Sequence, residues 1–136
     1  MDTVVLDNSF AGPLLEEQPW AAEYVRDLPP ETNIVVPSLV RYEAYAGAVK
    51  SDRKDLTIQR VAYALDAFQT VGFDESQARE AAEIRGHLLA TGQELSAPDV
   101  LIAGVVRSID GVLVTLDGHF ERVPDLDVER LNPDVS

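Results

Sequence analysis

Four carboxylic acids, Asp7, Glu43, Asp99 and Asp117, occupy positions from which they could act together. Asp7 closes a short β-branched, apolar run, Thr3 to Leu6, that reads as a buried strand. Asp117 lies two residues past Thr115, which ends a similar run beginning at Val112. Asp99 falls in the first turn of the helix that leads into that run, and Glu43 in the helix that follows a strand at Asn33 to Val36. In a right-handed βαβ unit a helix begins at the carboxyl edge of the strand before it, where ligands bind in open α/β sheets. All four acids are therefore expected at one edge. Glu43 shares an i±3 and i±4 stripe with Leu39, Ala46 and Gly47, a face expected to meet the sheet, where a charge needs a partner. Grouped carboxylates repel one another, and their oxygens suit hard divalent cations such as Mg²⁺ or Mn²⁺.

Each acid also has a local explanation. Asp7 can cap a helix, Ser96 and Asp99 fit an S-x-x-D capping box, and Asp117-Gly118 is an ordinary turn pair. His87 lies in mid-helix and reads as a surface or packing residue, while His119 reads as a loop residue beside the acids. Convergence on one edge is what sets the four acids apart from the rest of the 24.

The elements that must position them follow from periodicity and punctuation. After the first strand, Phe10 to Glu17 can form a short helix, provided Pro13 sits in its first turn. Pro19 to Asp27 reads as a helix stopped by Leu28-Pro29-Pro30, and Pro37-Ser38 starts another that reaches about Val49. Lys50 to Asp55 is a charged connection, and Leu56 to Thr70 is helical through Ile58, Val61, Leu65 and Phe68. Val71 to Phe73 is a candidate third strand. Asp74 and Gln77 form a capping box for a helix to about Ala90, ended by Thr91-Gly92. Ser96 opens a helix whose stretch Val100 to Ile109 is apolar nearly all round and should be buried. Asp110-Gly111 turns the chain into the fourth strand, Val112 to Thr115, and a fifth is expected near Asp127 to Leu131. The alternation predicts a mainly parallel α/β sheet flanked by helices.

At 136 residues and 46% hydrophobic the chain fits one domain with a real core. It has no cysteine, so disulfides and thiolate zinc sites are excluded. No apolar run is long enough to span a bilayer and no signal-peptide pattern opens the chain, so a cytoplasmic location without membrane association is expected. The 24 acids against 11 bases give a net charge of −13, and Lys50 and Lys54 are the only lysines. Such a surface repels polyanions at long range, which counts against a nucleic-acid substrate. It also resembles the lysine-poor surface of salt-adapted proteins, for which the screening length falls to about 3 Å at 1 M salt and the repulsion largely vanishes.

Four blocks of the sequence resemble those of PIN-domain proteins, and specifically of VapC-type toxins: Val4-Val5-Leu6-Asp7-Asn8-Ser9, Val36-Pro37-Ser38-Leu39-Val40-Arg41-Tyr42-Glu43, Leu95-Ser96-Ala97-Pro98-Asp99-Val100-Leu101-Ile102-Ala103, and Thr115-Leu116-Asp117-Gly118-His119-Phe120. Their order and spacing match across nearly the whole chain, and the T-x-D-x-x-F block after an apolar helix headed by an acid is the most specific. The resemblance implies a single PIN domain over residues 1–136 with sheet order 3-2-1-4-5. It also implies hydrolysis of RNA phosphodiester bonds with Mg²⁺ or Mn²⁺, homodimerisation and neutralisation by a cognate antitoxin. On this basis Asp7, Glu43, Asp99 and Asp117 are the metal-binding catalytic acids, with Ser9 and Thr115 as supporting polar groups. Asn8 departs from the usual Thr or Ser. His119 stands where many relatives carry another acid, which leaves a second metal ion without a fifth carboxylate. Arg41, Arg85, Arg107 and Arg122 are candidates for holding RNA phosphates.

Two other readings share part of this pattern. A haloacid-dehalogenase or receiver-type phosphotransfer domain also places an aspartate after its first strand, but the former wants D-x-D where Ser9 stands, and both want a lysine in the site. A catalytically silent PIN-like interaction module is the second, and the presence of all four acids argues against it.

The excess of acids over lysines makes a direct prediction about salt. Self-repulsion at −13 is screened by added ions, so the melting temperature should rise from low ionic strength to molar KCl. A thermal-melt series in KCl checks this; a flat or falling trend would remove the salt-adaptation reading of the surface.

Overall fold

The computed structural model describes residues 2–133. Strand β1 (Thr3–Leu6) is followed by helices α1 (Asn8–Leu15) and α2 (Pro19–Asp27), then β2 (Asn33–Val35), α3 (Ser38–Val49), α4 (Lys54–Leu65), α5 (Glu75–Ala90) and α6 (Ala97–Ser108). Strand β3 (Val112–Thr115), a 3₁₀ turn (Gly118–Arg122) and β4 (Asp127–Arg130) complete the order. The strands form one parallel sheet in the order β2-β1-β3-β4. Val4, Val5 and Leu6 of β1 and Leu113, Val114 and Thr115 of β3 are all fully buried. Successive strand side chains point to opposite faces, so both faces of the central pair are covered.

The expected order 3-2-1-4-5 holds for four of its strands, whereas the third, placed by sequence at Val71–Phe73, is reduced to a single parallel bridge between Val35 and Gln69. Around it, Gln69 N–H donates to the Ile34 carbonyl (2.9 Å), Val36 N–H to the Gln69 carbonyl (2.9 Å) and Ser38 N–H to the Val71 carbonyl (3.0 Å). The ladder goes no further because the Val36 carbonyl, which the next parallel pair would need for the Val71 N–H, accepts from Arg41 Nε instead (2.8 Å).

Helix α1 begins two residues earlier than its apolar pattern suggests, because Asp7 caps it. Pro13 consequently sits inside the helix and not in its first turn, removing one internal N–H from a helix only eight residues long. Phe10 of α1 lies edge-on to Trp20 (5.8 Å) and Tyr24 (5.4 Å) of α2. The Tyr24 hydroxyl donates to Glu129 of β4, tying α2 to the edge strand. Burial, and then that carboxylate, push the Tyr24 pKa above the ordinary tyrosine value. Helix α4 starts at Lys54 and ends at Leu65, within what sequence had divided between a connection and a longer helix.

Helices α5 and α6 make the tightest packing. The N–H of Asp74 donates to Gln77 Oε1 (2.8 Å), closing the expected capping box, and Gln77 Nε2 crosses to Ser108 of α6 (3.1 Å). Helix α6 is buried through Val100, Ile102, Ala103, Gly104, Val105 and Val106, as its all-round apolar pattern requires. It turns into β3 at Asp110, which adopts the left-handed conformation (φ 54°). Of the described residues, no helix is long and apolar enough to cross a membrane. The sequence alone reads Asn132 to Ser136 as a loose tail; residues from 134 onward lie outside the described residues.

Gly104 is where α5 and α6 meet. A Cβ added there would come to 2.8 Å of the Ala81 Cβ and 2.9 Å of both the Ala81 nitrogen and the Gln77 carbonyl oxygen. Backbone atoms cannot step aside as side chains do, so Gly104→Ala should destabilise the fold by about 1–3 kcal/mol. Chemical denaturation checks this, and unchanged stability would show that the two helices are free to separate.

Candidate active site

Asp7 follows β1 and N-caps α1 at once. Its two oxygens divide the work. Oδ1 accepts from the Ser9 N–H (2.8 Å), the Ser9 hydroxyl (2.6 Å) and, more distantly, the Phe10 N–H (3.4 Å). Oδ2 accepts from the Thr115 hydroxyl at 2.7 Å, across the strand pair. With their protons committed to Asp7, the two hydroxyls act as acceptors on their other side: Ser9 Oγ takes the Leu116 N–H (2.9 Å) and Thr115 Oγ1 takes the Asp117 N–H (3.0 Å). The network joins the end of β1 to the end of β3, and it places Asp7, Ser9, Thr115 and the backbone of Asp117 together as the sequence suggested.

Asp7 is only 4% exposed. Burial raises its pKa above 3.8, and this outweighs the opposing effect of the Ser9, Thr115 and Phe10 hydrogen bonds. The charged form is therefore costly in the metal-free fold, although Oδ2 keeps acceptor capacity beyond Thr115.

Asp117 N-caps the 3₁₀ turn: its Oδ1 accepts the His119 N–H (2.8 Å) and faces His119 Nδ1 at 3.0 Å. Asp99 is the third residue of α6, half-buried. Here the capping is done by Ser96, whose hydroxyl accepts the Asp99 N–H (3.3 Å); among the described residues the Asp99 carboxylate has no hydrogen-bond or ion-pair partner. Asp99 and His119 line the same cleft of about 510 Å³, with Arg85, Glu94, Ser96 and Arg122.

Glu43 departs from expectation. The buried stripe of α3 runs through Val40, Ala44 and Ala48, so Glu43, one position off it, is exposed rather than core-facing. It lies in the second turn of a helix that starts at the carboxyl edge of β2, which is the shared edge, but no partner holds it among the described residues. The need for a partner, inferred from its stripe, therefore disappears.

No three Asp, Glu or His side chains lie close enough to hold one ion in common among the described residues. The donor chemistry nonetheless fits Mg²⁺ or Mn²⁺. Such ions keep several waters and use only one or two protein carboxylates; Asp7 Oδ2 keeps acceptor capacity beyond Thr115, and Asp99 and Asp117 have uncommitted oxygens. What the arrangement offers is a buried, oriented carboxylate at Asp7, with the Asp117 backbone fastened to the same network and Asp99 more open at the head of α6.

The PIN domain family model matches residues 4–126. No curated protein matches the chain. Among solved structures, VapBC2 from Rickettsia felis bound to a DNA fragment from its promoter superposes with a TM-score of 0.89 at 21% identity, covering 96% of this chain and 99% of that one. DNA-bound VapBC from Salmonella typhimurium gives 0.86 at 24% identity, covering 96% and 98%. Mycobacterium tuberculosis VapC20, a sarcin-ricin loop cleaving toxin, gives 0.65 at 17% identity, covering 87% and 92%. At these identities the likeness to the solved structures establishes the fold.

The environment of Asp7 sets a pH dependence in EDTA. Because its folded pKa is raised, its contribution to stability is fully present below the unfolded value and is lost as pH rises through the folded one. Asn in its place keeps an acceptor for Ser9 and avoids the buried charge, so Asp7→Asn should melt at or above the parent at pH 7. The gap should close as pH falls below about 4, where the parent carboxyl is protonated. Melts from pH 3 to 7 test this; a deficit for the variant that grows toward neutral pH would mean the buried carboxylate stabilises the fold.

Proposed function

The chain belongs to the PIN-domain family, and from that premise we propose that it is a metal-dependent endoribonuclease serving as the toxin of a toxin-antitoxin pair. The observation that carries this reading is the buried Asp7 carboxylate, locked by Ser9 and Thr115 at the sheet edge with Asp117 fastened to the same network. A purely structural cap would not need a second oxygen anchored across two strands in a site that disfavours its charge.

In this reading Asp7, Asp99 and Asp117 hold Mg²⁺ or Mn²⁺, with Glu43 contributing from α3. The bound ion supplies Lewis acidity at a scissile phosphate and makes water acidic enough to attack at neutral pH. Ser9 and Thr115 fix the direction of the Asp7 carboxylate and partly offset the rise in its pKa that burial causes. His119 holds Asp117 Oδ1, which leaves Oδ2 without a protein partner among the described residues. The toxin role is supported by the VapBC complexes among the structural neighbours and by VapC20, a sarcin-ricin loop cleaving toxin. It carries with it an antitoxin that covers the site and a homodimer, for which exposed Tyr42 and Val49 on α3 offer apolar surface.

Asp99→Asn is the discriminating variant because the helix cap beside it belongs to Ser96. Losing one first-turn charge should cost only a few tenths of a kcal/mol to about 1 kcal/mol of stability. Mg²⁺- or Mn²⁺-dependent cleavage of single-stranded RNA should fall by orders of magnitude, and expression of the variant should no longer slow growth where the parent does. Cleavage retained at the parent rate would refute the assignment of Asp99, and a parent that cuts no RNA with either metal would refute the nuclease reading.

A further inference from the structure

The sequence offers four arginines to a polyanion without saying which of them meets it, and the structure separates them. Arg41 is spent on backbone carbonyls: Nε donates to Val36 (2.8 Å), and Nη2 to Phe68 (3.0 Å) and Gln69 (3.2 Å). Arg107 is neutralised by Glu80 (3.0 Å) and Glu83 (3.5 Å), donates also to the Pro124 carbonyl (3.3 Å), and its side chain is only 16% exposed. Both are structural.

Arg85 and Arg122 differ. They reach the same loop from two elements, α5 and the 3₁₀ turn, and each makes one hydrogen bond: Arg85 Nη1 to the Leu95 carbonyl (3.3 Å) and Arg122 Nη1 to the Glu94 carbonyl (2.7 Å). Neither has a carboxylate partner among the described residues, in a chain where acids outnumber bases 24 to 11. Both line the cleft of about 510 Å³ that also contains Asp99 and His119. A guanidinium has five N–H donors, so most of each fork is uncommitted and its plane is steadied by a carbonyl. Arg130 is the remaining arginine near the site; its guanidinium lies over Gly118 and faces Glu121 at 3.8 Å, outside the cleft lining.

We propose that Arg85 and Arg122 form the wall of the cleft that binds the phosphodiester backbone of single-stranded RNA beside Asp99. This rests on the nuclease reading above for the substrate class, while the assignment to these two arginines rests on their placement and their lack of partners. The loop Glu94–Ser96 joins the two functions, because the carbonyls that steady the arginines immediately precede the serine that caps the Asp99 helix. Substrate phosphates held there sit next to the acid at the head of α6.

The test measures binding of a labelled single-stranded RNA oligonucleotide by the full chain, with Ca²⁺ replacing Mg²⁺ to hold back cleavage, across a salt series. Arg85→Gln and Arg122→Gln should each weaken binding by roughly tenfold. The double variant should reduce the slope of log affinity against log salt by about 1.4, at ~0.7 per phosphate contact on a single strand. Arg26→Gln, an exposed arginine at the end of α2 outside the cleft, should leave both quantities unchanged, and Arg122→Lys should recover part of the loss. Melting temperatures in EDTA, expected to stay near the parent value, separate lost phosphate contact from a loosened loop. Cleft variants that bind as the parent does, or no worse than Arg26→Gln, overturn the proposal while RNA cleavage by the parent leaves the nuclease reading intact. A parent that binds RNA through these arginines yet cuts none with Mg²⁺ or Mn²⁺ overturns the nuclease reading and leaves the phosphate wall standing. A parent that does not bind the oligonucleotide overturns the wall itself.

Discussion

Asp7 stands where the parallel ladder between β1 and β3 runs out, and its carboxylate replaces backbone pairing as the link between the two strands. Beyond Leu6 and Val114, the last residues in register, the Asp7 N–H still reaches the Val114 carbonyl (3.2 Å), and after that the side chains take over. Ser9 and Thr115 each give a proton to Asp7 and accept an N–H from the Leu116–Asp117 backbone, so these four hydrogen bonds each have a fixed direction. That fixes the path of the Leu116–Asp117 loop relative to the start of α1. Such a network is rigid because its members are satisfied only together, and it is costly because the charge at its centre is buried. A fold that needed no more than a helix cap at this point could have used an uncharged serine or asparagine.

The parts of the fold readable in the sequence were those whose local signals agree with their tertiary setting. β1 and β3 are uninterrupted apolar runs because both faces of a central parallel strand are covered, and α2 carries both its start and its stop in proline. Where a neighbour decides the outcome, local pattern misled. Val71–Phe73 has strand composition but meets a β2 whose last carbonyl, that of Val36, is taken by Arg41, so only a bridge forms. Pro13 argued for a helix starting later than it does, and the cap from Asp7 overrode it. Glu43 was singled out for the wrong reason: the spacing from Leu39 to Ala46 is helical, yet α3 buries the adjacent stripe, since a twelve-residue pattern with alanines on two sides does not fix which side packs.

For the candidate site, types and topology were legible while angles were not. Sequence order alone brings four acids to one sheet edge, and the hydroxyls of Ser9 and Thr115 do meet Asp7. What sequence could not supply was the division of labour among the arginines. Arg41 and Arg107 look as available as Arg85 and Arg122 until the carbonyls of Val36, Phe68 and Gln69 and the carboxylates of Glu80 and Glu83 are seen to consume them. These are contacts between distant segments, and no periodicity encodes them.

The net charge of −13 and a cleft with two unneutralised guanidiniums act over different ranges. The repulsion of a polyanion by the whole surface is a sum of many screened terms, and it decays over about 8 Å at physiological ionic strength and about 3 Å at 1 M. A bidentate arginine–phosphate contact is made at hydrogen-bond distance, within the screening length at physiological ionic strength, so added ions weaken it less than they weaken the long-range repulsion. Added salt therefore removes the barrier to approach faster than it removes the contact. An acidic protein can in this way act on an acidic substrate, provided its positive groups are few, fixed and placed beside the reacting centre. Under the proposed function those groups would be Arg85 and Arg122, which line the cleft together with Asp99.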